Sequence, residues 1–259
     1  MTSTSNTSPG AGEAIPSIST GAIAALSALG IGILLALPWL FSGHPFVLRV
    51  FSQIFLTITI LSGFYIILGL SKQFSLAQVA IYGIGAYVMA LLTTSGQMSF
   101  LPALVISAFS GALVGAIIAV PGARFRGPWL ALVTFAFAEM ARILMARWKW
   151  ITGGSAGFPG IPRPSLFGYQ LTTEHDYYFL FLGILVFACA FVVRLRTSPY
   201  GRIWLALGDN PDIVASAGIN VFTQRILAFA CGSFLSALAG AAFAAYATFI
   251  SPESFGFSH

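Results

Sequence analysis

The stretch ILAFACGSFLSALAGAAFAAYAT, Ile226–Thr248, runs without one Asp, Glu, Lys or Arg. About 20 apolar residues in a helix cross the roughly 30 Å of hydrocarbon in a bilayer, so this segment is long enough to span one. A membrane β-barrel strand would alternate apolar and polar residues, and neither this run nor Ile31–Leu40 does so. Helix is the reading that fits. Gly232, Ser236, Gly240 and Ala244 recur at every fourth position, and Ser107, Gly111 and Gly115 repeat the spacing. Small residues on one helix face let backbones approach closely, where dispersion and polar contacts replace the hydrophobic drive that lipid removes. Tight packing is the plain reading and a moving interface the sharper one; the two are compatible.

The rest of the chain has the same character. Of 259 residues, 58% are hydrophobic and 7% charged, and the mean hydropathy is +0.90. A soluble domain carries about 25% charged residues, so water is excluded as the main solvent of this fold. Further spans are expected at Gly21–Phe41, Phe46–Leu70, Leu76–Thr94, Leu101–Val120, Pro128–Ala146 and Tyr177–Val193. The fold class is therefore all-α, a polytopic bundle of about seven transmembrane or partly re-entrant helices. Leu76–Thr94 and Pro128–Ala146 carry polar and small residues suited to broken helices. Pro121-Gly122 ends one helix, and Gly127-Pro128 opens the next with proline in its first turn. Residues 1–19 are rich in Ser and Thr, broken by Gly10, Gly12 and Pro16, and read as a disordered tail. The first basic residue is Arg49, which leaves no basic n-region for a signal peptide. Residues 20–259 form the membrane domain.

Charge placement sets an orientation. If the loop Arg194–Arg225 is cytoplasmic, its side holds Lys72, Arg124, Arg126, Arg194, Arg196, Arg202 and Arg225. The other side holds Arg147, Lys149 and Arg163, with Arg49 near its edge. The excess of Lys and Arg on cytoplasmic loops then places the N-terminus inside and His259 outside. Because the basic residues punctuate apolar runs, the net charge of +5 reads as a topology signal, and no nucleic-acid partner is expected.

Enzyme chemistry finds little footing. Cys189 and Cys231 lie in apolar runs, and His44, His175 and His259 are scattered, so neither a disulfide framework nor a metal site is expected. No nucleophile–base pair stands out, and no catalytic residue is assigned. Glu139 and Arg142, at i and i+3, share a helix face and can neutralise each other; charge inside a span is otherwise a functional candidate. The run Gly153–Gly160 is too glycine-rich for a helix, and its backbone N–H groups are able to meet a carboxylate. A simple connector is its plain reading. The only lysines, Lys72 and Lys149, are followed by Gln73 and Trp150, so no G-x-x-x-x-G-K-[ST] phosphate loop exists. No cofactor is expected in this chain, and ATP would have to be hydrolysed by another subunit.

The polar loop is the most informative stretch. Asn210-Pro211 reads as a helix start and Gly218 as its C-terminal stop, enclosing a short helix able to lie in a cleft on a partner; a plain amphipathic surface helix is the alternative. Here the chain resembles the membrane subunits of ABC importers for branched-chain amino acids. Gly69–Gln78 with Tyr82–Tyr87 resembles a G-x-x-G-Q-x-S-L-G-x…G-I-G-A-Y segment. Arg126–Glu139 is similar to R-G-x-Y-F-A-x-x-T-L-A-F-x-E, and Thr152–Gly157 to T-G-G-S-x-G. Ser198–Asn220 and then Ser251–Phe255 resemble the coupling loop and a following S-P-x-S-F. Two departures stand out: Lys72 replaces the second glycine of the first block, and Ala215, Ser216 and Ala217 replace an E-A-A-like core.

The resemblance implies a permease subunit working by alternating access in the bacterial inner membrane. It implies a heterodimer with a second permease, two ATP-binding cassette subunits and a periplasmic solute-binding protein. The small-residue helix faces would then serve partly as the subunit interface. Gly201, Arg202, Asn210, Ala215, Gly218, Ile219 and Asn220 become the ATPase-coupling residues. Gln78, Tyr87, Glu139, Arg142, Gly153, Gly154 and Ser155 become candidates for the translocation path or its gate. The solute is a branched-chain amino acid or a related small polar molecule such as urea or an amide. The family pattern continues past S-P-x-S-F into a glycine-rich helical pair, whereas this chain stops at His259; a complete permease, a split gene and a truncated, non-transporting fragment all stay open. An ion-coupled transporter acting alone stays open; it would need coupling-ion ligands at mid-membrane, where only Glu139 and Arg142 are available. In a background lacking Cys189 and Cys231, a cysteine at Ser198 is expected to react with an impermeant maleimide only from the cytoplasmic side. Labelling of intact cells from outside would overturn the orientation.

Overall fold

The computed structural model of the chain describes residues 32, 34–40, 44–122, 128–166 and 168–255. It divides into two units, Met1–Gly43 and His44–His259. In the first, residues 34–40 are helical; the expected tail and most of the span Gly21–Phe41 lie outside the described residues, as do Arg124 and Arg126. The second unit begins with α1, Pro45–Phe64, which continues as a π-helical segment, Tyr65–Leu70. It is followed by α2, Gln78–Thr94; α3, Phe100–Gly122; α4, Pro128–Arg147; and the single turn α5, Lys149–Thr152. Then come α6, Glu174–Thr197; α7, Pro199–Asp209; α8, Pro211–Ser216; and α9, Val221–Ala247.

Among the described residues, five helical stretches are long and apolar enough to cross a membrane: Pro45–Leu70, Phe100–Gly122, Trp129–Arg147, Glu174–Thr197 and Val221–Ala247. Each coincides with an expected span. The sixth, α2, has 17 residues and reaches only about 25 Å at about 1.5 Å per residue, short of the full hydrocarbon thickness. The chain is an all-α polytopic membrane protein, with β1, Phe158–Pro159, paired to β4, Phe249–Ile250, and β2, Ser165–Leu166, paired to β3, Tyr169–Gln170.

The core is built around α9, which packs against α1, α2 and α3. Small residues set the distances. A Cβ on Gly63 would lie 2.5 Å from the Gly232 carbonyl oxygen, and a Cβ on Gly232 equally close to that of Gly63. A Cβ on Gly240 would run into the Tyr82 carbonyl, one on Gly111 into Ala237, one on Gly115 into Ser233, and one on Gly85 into the Ala237 backbone. Ser107, Ser233 and Ser236 are fully buried among them. This corrects the expectation that these faces help to form a subunit interface: they are filled within the chain. On the opposite flank α1 packs on α6, with Phe55 set edge-on to Tyr178 at 5.1 Å between ring centroids. A capping box at Thr173 and Asp176 starts α6.

Gly240→Leu is expected to destabilise the bundle by about 3 kcal/mol or more, the upper end of overpacking costs, because backbone must move. Gly183, exposed on α6 with open space for 4 Å around the position an added methyl group would take, is the control, and Gly183→Ala should be neutral or slightly stabilising. Thermal unfolding in detergent checks both.

Candidate functional site

The predicted helix start and stop at the polar loop both form. Ser198 Oγ accepts from the Gly201 amide at 3.2 Å and opens α7, with Pro199 in the first turn. Asn210 Oδ1 accepts from the amides of Asp212 at 3.0 Å and Ile213 at 3.4 Å, opening α8 ahead of Pro211. At the far end Gly218 is left-handed, φ 78°. Its amide donates to Ala215 O at 3.0 Å, and the Ile219 amide to Val214 O at 3.3 Å. That pattern is a Schellman stop. Asn220 Oδ1 then accepts from the Thr223 amide at 3.2 Å and starts α9.

The two short helices turn one face inward. Gly201, Trp204, Leu207 and Val214 are buried, and the Trp204 indole N–H donates to Gln224 Oε1 of α9 at 3.0 Å. Gly201 has no room for a side chain, since a Cβ would meet the backbone of Leu195 and Arg196. The outward face carries Arg202, Asn210, Ala215, Gly218 and Asn220, all exposed, and Ile213 at 65% exposure. Six of the seven residues expected here therefore share one surface element or support it directly; Ile219 is half-buried beside them. Ile213 was missed by sequence reasoning, although an isoleucine in a capped polar loop was its signal.

Beneath α7 lies the loop 71–77. Lys72 Nζ pairs with Asp209 Oδ1, and Gln73 Nε2 donates to Arg225 O at 3.4 Å. These contacts put residues 71–75 on the same side as the 194–225 loop, as charge counting expects. Lys72 holds φ 50°, a left-handed conformation that costs a non-glycine residue about 1 kcal/mol. The side chain at this departure from the glycine pattern was not assigned any partner from sequence.

The candidates for a path are not all gathered at one place. Gln78, the first residue of α2, accepts at Oε1 from Ser236 Oγ of α9 at 2.5 Å, while its buried Nε2 has no hydrogen-bond partner among the described residues. Tyr87, 4% exposed, stacks edge-on against Phe255 at 5.9 Å, and its hydroxyl likewise has no partner among the described residues. It lines a cavity of about 300 Å³ between α2 and α4, otherwise apolar and walled by residues such as Phe137, Leu144 and Trp148. Glu139 and Arg142 form the predicted pair, with Arg142 Nε 3.0 and 3.1 Å from the two carboxylate oxygens. They sit at 39% and 34% side-chain exposure and do not line that cavity.

The glycine-rich run is more ordered than its composition suggests. Gly154–Ala156, which includes Ser155, forms a 3₁₀ turn, preceded by Gly153 at φ 73°. A Cβ on Gly153 would strike the Gly157 carbonyl. Thr152 Oγ1 donates to Met145 O at 2.5 Å and Trp148 O at 2.8 Å, and Phe158 pairs with Ile250 through β1 and β4. The run is thereby clasped to the end of α9. A second cavity, about 400 Å³, opens at this end between α1, α6 and α9. There Arg49 Nη2 donates to Glu174 Oε1 at 2.8 Å and the Tyr246 hydroxyl to Glu174 Oε2 at 3.1 Å; no local sequence pattern announced this network.

Comparison with known proteins gives a consistent result. A family model described as "Branched-chain amino acid transport system / permease component" matches residues 46–259. The chain is 32% identical over 249 residues to the high-affinity branched-chain amino acid transport system permease protein LivM of Escherichia coli strain K12, covering 87% of this chain and 59% of that protein. It is 33% identical over 219 residues to the LivM protein of Salmonella typhimurium, covering 76% and 52%. A more distant relative is the autoinducer 2 import system permease protein LsrC of Yersinia enterocolitica, 27% identical over 230 residues and covering 86% and 61%. The chain thus spans somewhat over half the length of the curated relatives it matches. No solved structure matches it. Asn210→Ala should loosen α8 by about 1 kcal/mol, read as a roughly five-fold loss of amide-exchange protection over residues 212–218 with the spans unchanged.

Proposed function

The chain belongs to the branched-chain amino acid transport permease family, and from that premise we propose that it is the membrane-spanning subunit of an ATP-driven importer. In this reading a second permease subunit completes the channel, two ATP-binding cassette subunits sit under the 194–225 loop, and a periplasmic binding protein delivers the solute. The solute is a branched-chain amino acid or a small polar relative. The protein lies in the inner membrane with its N-terminus and the coupling face inside. One observation carries the reading: a helix stopped at both ends, α8, which presents Ile213 and Ala215 outward and is seated on the helical bundle through Val214.

The physical logic is that of a lever. Closure of the ATPase on its nucleotide displaces α8; α7 carries the displacement to the start of α9 through Trp204 and Gln224 and to the loop ahead of α2. Motion of α2 against α4 then changes the cavity beside Tyr87. A ligand or partner shifts such an equilibrium only through its different affinity for the two states, so the stroke draws on nucleotide binding in the partner. A path with little polar lining, as beside Tyr87, holds solute weakly and favours release.

Ile213→Glu is the direct test. The residue is exposed, so the bundle should stay intact and reach the membrane, while co-purification of the ATPase and leucine uptake both fall at least ten-fold. Full uptake by that variant would remove the coupling role of α8. Uptake by the purified chain alone, driven by an ion gradient, would instead favour a secondary transporter.

A further inference from the structure

We propose that Lys72 is a positioning residue which, through its ion pair with Asp209, links the coupling helices to the head of α2. The proposal rests on the importer reading above. Lys72 adopts a backbone conformation, φ 50°, that glycine reaches without penalty and lysine does not. Two contacts hold it there. Its methylene stem lies against Gly208, where an added Cβ would come within 2.9 Å of Lys72 Cγ. Its ammonium meets the carboxylate of Asp209, the last residue of α7 and the neighbour of the Asn210 cap that opens α8.

The other end of the link is equally defined. The loop that carries Lys72 is fastened at both sides. Ser71 Oγ donates to Ile67 O at 2.7 Å and the Gln73 amide to the same oxygen at 3.0 Å, which ties it to the π-helical end of α1. The Leu76 amide donates to Thr134 Oγ1 of α4 at 3.0 Å, and the Ala77 amide to Ser75 Oγ at 3.2 Å, just before α2 begins. A displacement of Asp209 is therefore passed to a short, braced loop whose next element is the helix bearing Gln78 and Tyr87. Both partners of the pair are more than half exposed, and exposed ion pairs contribute little to stability. The pair is consequently suited to directing motion and poorly suited to holding the fold.

That difference gives the test. The permease, its second permease subunit, the two ATPases and the binding protein are reconstituted in proteoliposomes, and labelled leucine, isoleucine and valine uptake is measured beside ATP hydrolysis. Lys72→Gly removes the cation and also relieves the left-handed backbone. A purely structural Lys72 predicts unchanged or higher thermal stability with an unchanged ratio of solute moved to ATP hydrolysed. A positioning role predicts the same stability with that ratio lowered at least three-fold, and a similar loss in Asp209→Asn. The exchange Lys72→Asp with Asp209→Lys should recover at least half of the ratio, since Asp tolerates the left-handed region. An unchanged ratio in both single variants, or a loss that the exchange fails to recover, overturns the proposal while leaving the importer reading in place. Wild-type complex that hydrolyses ATP yet moves none of these three solutes, nor urea nor a short amide, overturns the importer reading, and the proposal with it.

Discussion

Close backbone contact along α9 is the constraint on which the rest of the structure depends. In lipid an apolar side chain gains little by touching another helix in place of an acyl chain, so association must come from dispersion at short range and from polar contacts. The Gly63–Gly232 and Gly240–Tyr82 approaches supply the first. The bond between Ser236 and Gln78 supplies the second. With α1, α2 and α3 held at these distances, α9 becomes a common axis. One end of it meets the short helices of the polar loop, the other the clasped glycine run and the Arg49–Glu174–Tyr246 network.

Charge follows a matching logic. The ion pairs Arg49–Glu174, Lys72–Asp209 and Glu139–Arg142 all keep partial exposure, and among the described residues the buried polar side chains of the core are serines, threonines and glutamines. An ion deep in the bundle would carry a desolvation cost of several kcal/mol; hydroxyls and amides that bond to a helix carbonyl carry far less. Thr59 donating to Phe55 O and Ser107 to Ala103 O illustrate the economical arrangement. Among the described residues four buried polar atoms have no hydrogen-bond partner: Ser52 Oγ on α1, Ser233 Oγ on α9, and Gln78 Nε2 and the Tyr87 hydroxyl, both on α2, the short helix.

Much of this was legible from residue order, because the signals are local. Apolar length located the spans from Phe46 to Thr248 within a few residues, and Asn210, Pro211 and Gly218 marked both ends of α8 through capping chemistry that acts over four residues. The pairing of Glu139 with Arg142 followed from helical spacing. What stayed hidden joins residues far apart in the chain. Lys72 and Asp209 are separated by 137 positions, and Arg49 and Glu174 by 125; no periodicity encodes such a meeting. The small-residue stripes illustrate a subtler limit: their spacing announces close approach but not the neighbour, and here the neighbours are helices of the same chain. Glycine content likewise misled for Gly153–Gly160, where left-handed turns and the β1–β4 pair give order that composition hides.

The double stop on α8 has a thermodynamic consequence for assembly. A docking segment that is unstructured before it binds must surrender conformational freedom on contact, and the affinity is reduced accordingly. Here Asn210, Pro211 and the Gly218 turn fix the segment in advance. On the importer reading, a protein closing over Ile213 meets a helix that is already folded and is spared that ordering cost.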